Sequence, residues 1–445
     1  MVLLGTSFCS VGQEEASAIK NIFNEELSNG HAYTMLDHLA NRIGGRLSGS
    51  PQAAVAVEWG KSTMESMSID RVWLQEVMVP HWVRGEKEQA SITVGSKKQV
   101  LRICALGNSI GTGPKGIAAA VIEVKSFLEL EKLGKEKIAG NIVFFNRPMD
   151  PKEIYTGTAY GGAVDQRGRG VVEAARFGAL GVVVRSVTLA MDDHPHTGSV
   201  QYSNTVAKIP ACAISTMGAS VLSQAILGNP KAKFFFRQTC EMLPDVKSHN
   251  IVGEIKGSTF PDEIILVGGH LDSWDLGTGA HDDGAGVVQS MEVLRLFKAL
   301  GMRPRRTIRA VLFMNEENGT RGAMKYAELS AQNKEHHLAA MESDEGGFTP
   351  RDFSVEGDGF DRIRSWIPLL APYGIQGIVH EHTGTDLGPL KKLGVTLVGY
   401  RSDSQRYFDY HHAETDTFDK VNKRELELGA ANMAALIWLI SEHGL

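Results

Sequence analysis

The chain of 445 residues contains little cysteine, no basic run and no long apolar run. Its four cysteines, Cys9, Cys104, Cys212 and Cys240, show no CxxC spacing, so a thiolate metal site is not expected. Buried thiols are expected instead, with a Cys212–Cys240 disulfide as the alternative. The net charge of -6 and the lack of a basic run argue against a nucleic-acid partner. No segment approaches the roughly 18 apolar residues of a membrane helix, so no membrane partner is expected.

The N-terminal segment 1–13 is apolar and rich in small residues, and an acidic pair, Glu14 and Glu15, follows it. Because the segment lacks a basic region, it is interpreted as the remnant of a secretory signal, with a disordered or helical start as the alternative. The signal interpretation predicts a secreted or periplasmic protein.

The character of the sequence changes twice along the chain. Residues 14–104 begin with apolar residues at helical spacing, whereas 105–245 contain short apolar runs broken by glycine, which predicts a β-rich module. From 246 onward, continuous apolar runs such as DEIILVGG alternate with helical patterns. This alternation predicts an α/β domain, formed by 14–104 and 246–445, with a mixed, largely parallel sheet between helices. The β-rich module is then an insertion.

Imidazoles and carboxylates stand where the predicted strands of this domain end. DEIILVGG is followed by His270 and Asp272, RTIRAVLFMN by Glu316 and Glu317, and HLAAMES by Asp344. Because the carboxyl ends of parallel strands meet at one edge of a sheet, these side chains are expected to lie together. Imidazole and carboxylate without thiolate suit zinc or another divalent ion in a catalytic site.

Two of these pairs have spacings that suit a metal site. The Asp272 carboxylate is expected to accept the second imidazole N–H of His270 and to fix its tautomer. Glu316 and Glu317 are adjacent at a strand end and point in different directions. One of them can therefore bind metal while the other faces the attacking water.

Two further segments add acidic and imidazole groups. The loop after the first of these strands carries Asp282, and Tyr410, His411 and His412 precede the last predicted helix. Two metal ions about 3.5–4 Å apart need a shared carboxylate. A two-metal catalytic site is therefore the interpretation that these residue types favour.

Several segments resemble one family: GGHLDSWDLGTGAHDDGAG, FMNEENGTRGA, ESDEG, GTDLGPL and HHAETDT. They are similar to the di-zinc peptidases that include bacterial leucyl aminopeptidases and glutamate carboxypeptidases, and IGGRLSGSP matches the same branch. Residues 105–245 resemble a protease-associated domain. The resemblance covers most of the chain. It implies the zinc exopeptidase fold, two Zn²⁺ per chain, a small peptide substrate and a homodimer.

The resemblance also implies a role for each matching residue. The implied metal ligands are His270 and Asp344 for one ion, Asp282 as the bridge, Glu317 for the second ion and His412 as the last ligand, with His411 as the alternative to His412. The Asp282–Asp283 peptide bond would be cis. Glu316 matches the general base, which takes a proton from the attacking water and returns it to the departing amine.

Other polar residues have weaker signals. Asp386 matches a loop at the rim of the active site, and Tyr410 and His382 are candidate substrate contacts. The remaining histidines of paired or loop motifs are expected at the surface: His194, His196, His336, His337 and His380.

Three alternatives to an exopeptidase remain open. Aminoacylase-like amidohydrolases share the order of ligands, but they place the bridging aspartate farther from the HxD motif and insert a lid after the glutamate pair. A single-zinc glutaminyl cyclase is the second alternative, and the full ligand set favours hydrolysis over it. A non-enzymatic binding protein on the same scaffold would be expected to lack ligands, and every expected ligand is present.

Overall fold

The computed structural model describes residues 7–445, which form two compact units. The first unit consists of the residues up to Val79, Lys247–Asp403 and Thr417–Leu445, and the second consists of Pro80–Val246 and Ser404–Asp416. The second unit thus begins earlier than the predicted insertion 105–245, and it includes a short segment near the C-terminus that was not predicted to belong to it.

The elements are numbered in chain order. The strands are β1 (Arg71–Val83), β2 (Gln89–Val94), β3 (Lys97–Leu101), β4 (Ile103–Ala105), β5 (Ile117–Val124), β6 (Ile142–Phe145), β7 (Gly181–Arg185), β8 (Ala211–Ile214), β9 (Lys233–Arg237), β10 (Glu241–Ile255), β11 (Phe260–His270), β12 (Arg306–Phe313), β13 (His336–Ser343), β14 (Pro350–Glu356), β15 (Gly377–Val379) and β16 (Thr396–Ser402). The helices are α1 (Ser7–Asn29), α2 (Ala32–His38), α3 (Pro51–Ser66), α4 (Phe127–Ile138), α5 (Thr156–Gly161), α6 (Asp165–Gly168), α7 (Gly170–Arg176), α8 (Thr216–Gly228), α9 (Ala285–Ala299), α10 (Arg321–Gln332), α11 (Phe360–Arg364), α12 (Ile367–Leu370), α13 (Tyr407–Tyr410) and α14 (Lys423–His443).

The first unit is built on an eight-stranded sheet with the order β1-β10-β12-β11-β13-β16-β14-β15. β11 runs parallel to β12 and β13, and β13 runs parallel to β16. β10 and β14 run antiparallel to β12 and β16. β11 is buried from Ile264 to His270, and β12 and β13 are buried along most of their length, which explains why these sequences contain continuous apolar runs. The predicted mixed, largely parallel sheet is confirmed.

Helices cover this sheet. α9 packs against β11, β12 and β13, and α14 packs against α1 and α9. α9 is buried on all sides from Ala285 to Phe297, as expected for a helix between a sheet and a second layer of helices. Asn422 caps the N-terminus of α14: its side chain accepts hydrogen bonds from the N–H groups of Arg424 and Glu425. The loops at the carboxyl ends of the parallel strands are therefore carried by a buried scaffold.

The second unit has its own eight-stranded sheet, with the order β3-β2-β9-β5-β6-β7-β8-β4. Strands β5 to β8 are parallel, and they surround a core that includes Phe144, Val183 and Phe234. The hairpin of β2 and β3 pairs with β9. This pairing is the physical reason why the unit begins before residue 105: the hairpin completes the sheet of the insertion.

Residues 1–6 of the predicted signal remnant 1–13 lie outside the described residues. Within residues 7–445, no helix is long and apolar enough to cross a membrane. Cys104, Cys212 and Cys240 are buried free thiols. The expectation of buried thiols is confirmed for these three residues, and the alternative of a Cys212–Cys240 disulfide is wrong.

Candidate metal centre

Polar residues of the first unit lie at one edge of its sheet. β11 ends at His270, Glu316 and Glu317 follow β12, and Asp344 follows β13. Because β11 is parallel to both neighbours, all of these positions lie at the carboxyl ends of strands. The turn that carries Asp282 lies between β11 and α9. The strand ends therefore deliver imidazole and carboxylate groups to a common region, as predicted.

His270, Asp282 and Asp344 form a group that fits a metal ion. The Nε2 atom of His270 lies 3.3 Å from Asp282 Oδ1 and 3.4 Å from Asp344 Oδ1. One ligand atom from each residue lies within 4.8 Å of the other two. Although burial opposes it, the carboxylates of Asp344 and Asp282 raise the pKa of His270 well above its usual range. An imidazole nitrogen and carboxylate oxygens are among the ligand atoms that zinc takes in proteins, so this group fits zinc.

The orientation of His270 is fixed by a main-chain group. Its Nδ1 atom donates to the main-chain oxygen of Asp272 at 2.9 Å. The Asp272 carboxylate instead accepts hydrogen bonds from the N–H groups of Asn315 and Glu316, at 2.6 and 3.1 Å. The predicted bond between this carboxylate and the imidazole is therefore wrong, because the carboxylate holds the chain after β12. The tautomer is still the one expected, with Nε2 facing the carboxylates.

Asp283 holds the turn that carries Asp282. Its carboxylate accepts the N–H of His270 at 3.0 Å and the N–H of Gly286, in the first turn of α9, at 2.9 Å. A methyl group at Gly269 or Gly286 would overlap this carboxylate, which explains why both positions are glycine. The Asp282–Asp283 bond is cis, as the resemblance implied.

Glu316 and Glu317 differ in their surroundings. Glu317 is buried, and its Oε1 accepts the N–H of Trp274 at 3.2 Å. Glu316 is partly exposed. Burial and the nearby Asp344 and Asp282 carboxylates raise the pKa of Glu316 to about 7, against the opposing effect of the His270 ring. A carboxyl group with this pKa can both accept and donate a proton near neutral pH.

Arg46 belongs to the site, although it was not among the predicted residues. Its side chain is fully buried, and it donates to the main-chain oxygens of Leu271, Thr278 and Gly279 at 2.5, 2.9 and 3.0 Å. One guanidinium thus holds the loop that follows β11. The segment IGGRLSGSP supported the family resemblance, but its spacing gave no signal for this contact.

Glu342 is a second residue that the sequence analysis missed. It lies in β13 two positions before Asp344, and its buried carboxylate accepts the N–H groups of Asp386 and Leu387 at 3.3 and 3.1 Å. Asp386 is only 1% exposed, and neither of its carboxylate oxygens has a hydrogen-bond partner among the described residues. Glu342 thus holds the loop of Asp386 through two main-chain N–H groups, and the predicted substrate contact of Asp386 stays a prediction.

The remaining predicted residues lie in two places. His412 and Tyr410 belong to the second unit. There His412 has a φ of 64°, and its ring stacks on that of His411 with 3.5 Å between centroids. His382 belongs to the first unit, where it is exposed and its main-chain oxygen accepts a bond from Ser354. The ligand role of His412 and the substrate contacts of Tyr410 and His382 stay predictions.

The sequence profile described as peptidase family M28 matches residues 250–437. Carboxypeptidase Q of Rattus norvegicus is 36% identical over 432 residues, which cover 97% of this chain and 89% of that protein. Carboxypeptidase Q of Homo sapiens is 35% identical over 429 residues, which cover 96% of this chain and 89% of that protein.

Solved structures of peptidases also resemble this chain. The peptidase M28 precursor of Shewanella amazonensis SB2B matches with a TM-score of 0.91 and 33% identity, over 96% of this chain and 97% of that chain. The zinc aminopeptidase of Bacillus subtilis, at 18% identity, matches with a TM-score of 0.66 over 92% of this chain and 94% of that chain, and it shares the fold. The chain belongs to peptidase family M28, and it is a metallo-exopeptidase.

Proposed function

We propose that this enzyme is a di-zinc exopeptidase that hydrolyses dipeptides or other short peptides. The observation that carries the proposal is the group of His270, Asp282 and Asp344 at the carboxyl edge of the parallel strands. Glu316, with a pKa of about 7, follows the neighbouring strand. The relatives named carboxypeptidase Q and the fold shared with a zinc aminopeptidase support the same reaction class.

Five residues would hold the two zinc ions. They are His270 and Asp344 for one ion, Asp282 as the bridge, and Glu317 and His412 for the other ion. When bound, two zinc ions lower the pKa of a water molecule and stabilise developing negative charge on the substrate oxygen. The burial of Asp282 and Glu317 supports this assignment, because buried carboxylates need a compensating cation.

Glu316 is the proposed general base. Its raised pKa suits a group that takes a proton from the attacking water and then gives it to the departing amine. Its partial exposure also fits this role, whereas the burial of Glu317 fits a metal ligand. The Asp272 carboxylate would act through the main chain, because it holds the N–H of Glu316 at 3.1 Å.

The test is dipeptide hydrolysis before and after chelation, with zinc restored, in the wild type and in Glu316→Gln. We expect zinc-dependent release of free amino acids, and a fall in kcat of about 10²–10⁴ in Glu316→Gln while zinc content stays at two per chain. Glu328→Gln is the matched control, because Glu328 lies on α10 and makes an ion pair with Lys325 at the surface. Its activity should equal that of the wild type.

Two outcomes would contradict parts of the proposal. If Glu316→Gln keeps wild-type activity, Glu316 is not the base. If the wild type binds zinc but cleaves no dipeptide, the substrate assignment is wrong. N-acyl amino acids and N-terminal glutaminyl peptides would then test the aminoacylase and glutaminyl cyclase alternatives. Dipeptides blocked at either end distinguish an aminopeptidase from a carboxypeptidase and from a strict dipeptidase.

The other expectations stay proposals with their own tests. Tyr410 and His382 are proposed to contact the substrate, so substitutions there should change KM more than zinc affinity. The second unit is proposed to be a protease-associated domain, and the enzyme is proposed to be a secreted or periplasmic homodimer. Sedimentation of the purified chain tests the dimer, and fractionation of the producing cells tests the location.

A further inference from the structure

The segment 404–416 is held by the second unit. The Thr156 hydroxyl donates to the main-chain oxygen of Ser404 at 2.6 Å. Near the other end of the segment, Nδ1 of His194 lies 2.6 Å from the Glu414 carboxylate. These bonds fix both ends of the segment that carries His412. The position of the His412 ring within this unit therefore depends on the residues that contact His411 and His412.

His196 and Thr197 hold His411 and His412 in this segment. His196 is only 2% exposed, so its predicted surface position is wrong. Its Nδ1 atom lies 2.7 Å from the main-chain oxygen of His411. Because a carbonyl oxygen can only accept, Nδ1 of His196 carries the proton. The Thr197 N–H donates to the main-chain oxygen of His412 at 2.9 Å. His196 and Thr197 thus hold the main-chain oxygens of His411 and His412, respectively.

The Thr197 carbonyl also lies beside Nδ1 of His412. Nδ1 of His412 lies 3.3 Å from Thr197 O and 3.3 Å from Nη1 of Arg167. A carbonyl needs a donor at Nδ1, whereas a guanidinium can only donate. Arg167 Nη1 also lies 3.3 Å from the Thr197 oxygen, so it can donate to either atom. In the Nδ1–H tautomer, the Thr197 oxygen accepts from both His412 Nδ1–H and Arg167 Nη1, and the lone pair of the ring is on Nε2.

The backbone of His412 explains why such bonds are needed. Its φ of 64° lies in the left-handed region, which is unfavourable for a residue with a side chain. The bond from Thr197 N–H and the stacking of the His411 ring, at 3.5 Å between centroids, offset this cost. The conformation directs one imidazole nitrogen towards Thr197, so only the other can serve a ligand.

We propose that His196 and Thr197 are positioning residues for metal binding: they hold His412 in the Nδ1–H tautomer that can coordinate zinc through Nε2. This inference rests on the proposed function, which makes His412 a zinc ligand. It assigns the second unit a role in setting metal affinity. Ligand histidines commonly donate their other N–H to a carbonyl, and loss of such partners weakens metal binding.

Variants of His196 separate this role from general stability. His196→Leu removes the donor to the His411 carbonyl, whereas His196→Asn restores an N–H at nearly the same position. In chelator competition, His196→Leu should weaken the binding of one of the two zinc ions about 10–100-fold. His196→Asn should bind both ions like the wild type. His336→Leu is the matched control, because His336 is exposed in the first unit and should not change zinc affinity.

The tautomer is measured directly by nitrogen-15 NMR of histidine-labelled, metal-free protein, with His412 assigned by its absence in His412→Gln. We expect the Nδ1–H tautomer in the wild type and its partial loss in His196→Leu. An Nε2–H tautomer in the wild type would overturn the proposal without the need for any variant to fold. A folded His196→Leu that binds both ions as tightly as the wild type would overturn it too. A wild type that binds fewer than two zinc ions contradicts the proposed function instead.

Discussion

The guanidinium of Arg46 donates a hydrogen bond to the main-chain oxygen of Gly279, with 3.0 Å between Nη2 and oxygen. The same side chain donates to Leu271 and Thr278, so it joins both ends of the loop that follows β11. This loop separates His270 from the turn of Asp282. The distance between these two predicted ligands therefore depends on a residue that is far from both in sequence.

Arg46→Met should destabilise the fold and weaken zinc binding. The substitution leaves three carbonyl oxygens without their donor, and each buried unsatisfied group costs about 1–3 kcal/mol. We expect the free energy of unfolding to fall by about 3 kcal/mol or more, measured by urea denaturation. Arg42→Met is the matched control, because Arg42 is exposed. Equal effects of the two substitutions would contradict the role of Arg46.

Gly384→Ala should impair catalysis through the loop of Asp386. Gly384 has a φ of 127°, which favours glycine, and a methyl group there would overlap Oε2 of Glu342. The loop must shift to accept it, and a shift of about 1 Å near a reaction centre lowers kcat/KM about 10²-fold. At Gly388, a methyl group would meet no atom within 4 Å, so Gly388→Ala is the control. Unchanged kcat/KM in Gly384→Ala would show that the loop does not support the reaction.

Much of the first unit could be predicted because its central strands are continuous apolar runs. Leu266 and Val267 in β11 are both fully buried, as a strand with two covered faces requires. The extent of the second unit could not be predicted in the same way. The bond between Thr156 and Ser404 joins residues 248 positions apart, and neither neighbourhood contains a local pattern that indicates the other.

Some features of the site could likewise be predicted from the sequence, and others could not. The positions of His270 and Asp344 at strand ends follow from the rule that the carboxyl ends of parallel strands meet at one edge of the sheet. This rule does not predict which oxygen of Asp272 contacts His270. The main-chain oxygen of Asp272 orients the His270 imidazole, because the Asp272 carboxylate accepts two N–H groups that follow β12. Glu342 could have been found, since alternate residues of a strand share a face and Asp344 follows two positions later.

The stability of the first unit should depend on pH through Glu26. This carboxyl group is fully buried on α1. Burial and the neighbouring Glu292 carboxyl raise its pKa to about 10, from the ordinary value of 4.5, although Arg295 opposes the shift. The folded chain therefore keeps a proton that the unfolded chain releases above pH 4.5. The stabilisation by this proton is complete below pH 4.5 and is lost as the pH rises towards 10.

Glu26→Gln removes the need for this proton while it keeps the shape of the side chain. At pH 8 we expect it to be more stable than the wild type by about 1–3 kcal/mol, with a smaller gain at pH 6. Urea denaturation at both pH values measures the difference. Glu25→Gln is the control: bonds from Asn29 and Arg295 lower the pKa of Glu25, so its loss should slightly destabilise the fold. A Glu26→Gln variant that is less stable than the wild type at pH 8 would contradict the buried proton.

Removal of zinc should lower the thermal stability of the enzyme. Burial and the carboxylate of Asp282 raise the pKa of Glu317 well above its usual range, and burial also raises that of Asp344, so the site favours a cation. An ion that binds only the folded chain stabilises it by about 2.7 kcal/mol at a free concentration of 100 times Kd. A chelator should therefore lower Tm by several degrees, and zinc should restore it.

Asp344→Asn should lose most of this response of Tm to zinc, whereas Asp358→Asn, at an exposed position, should keep it. The same zinc response in both variants would place the ion elsewhere, because Asp344 lies 3.4 Å from His270 Nε2, whereas Asp358 is exposed outside this group.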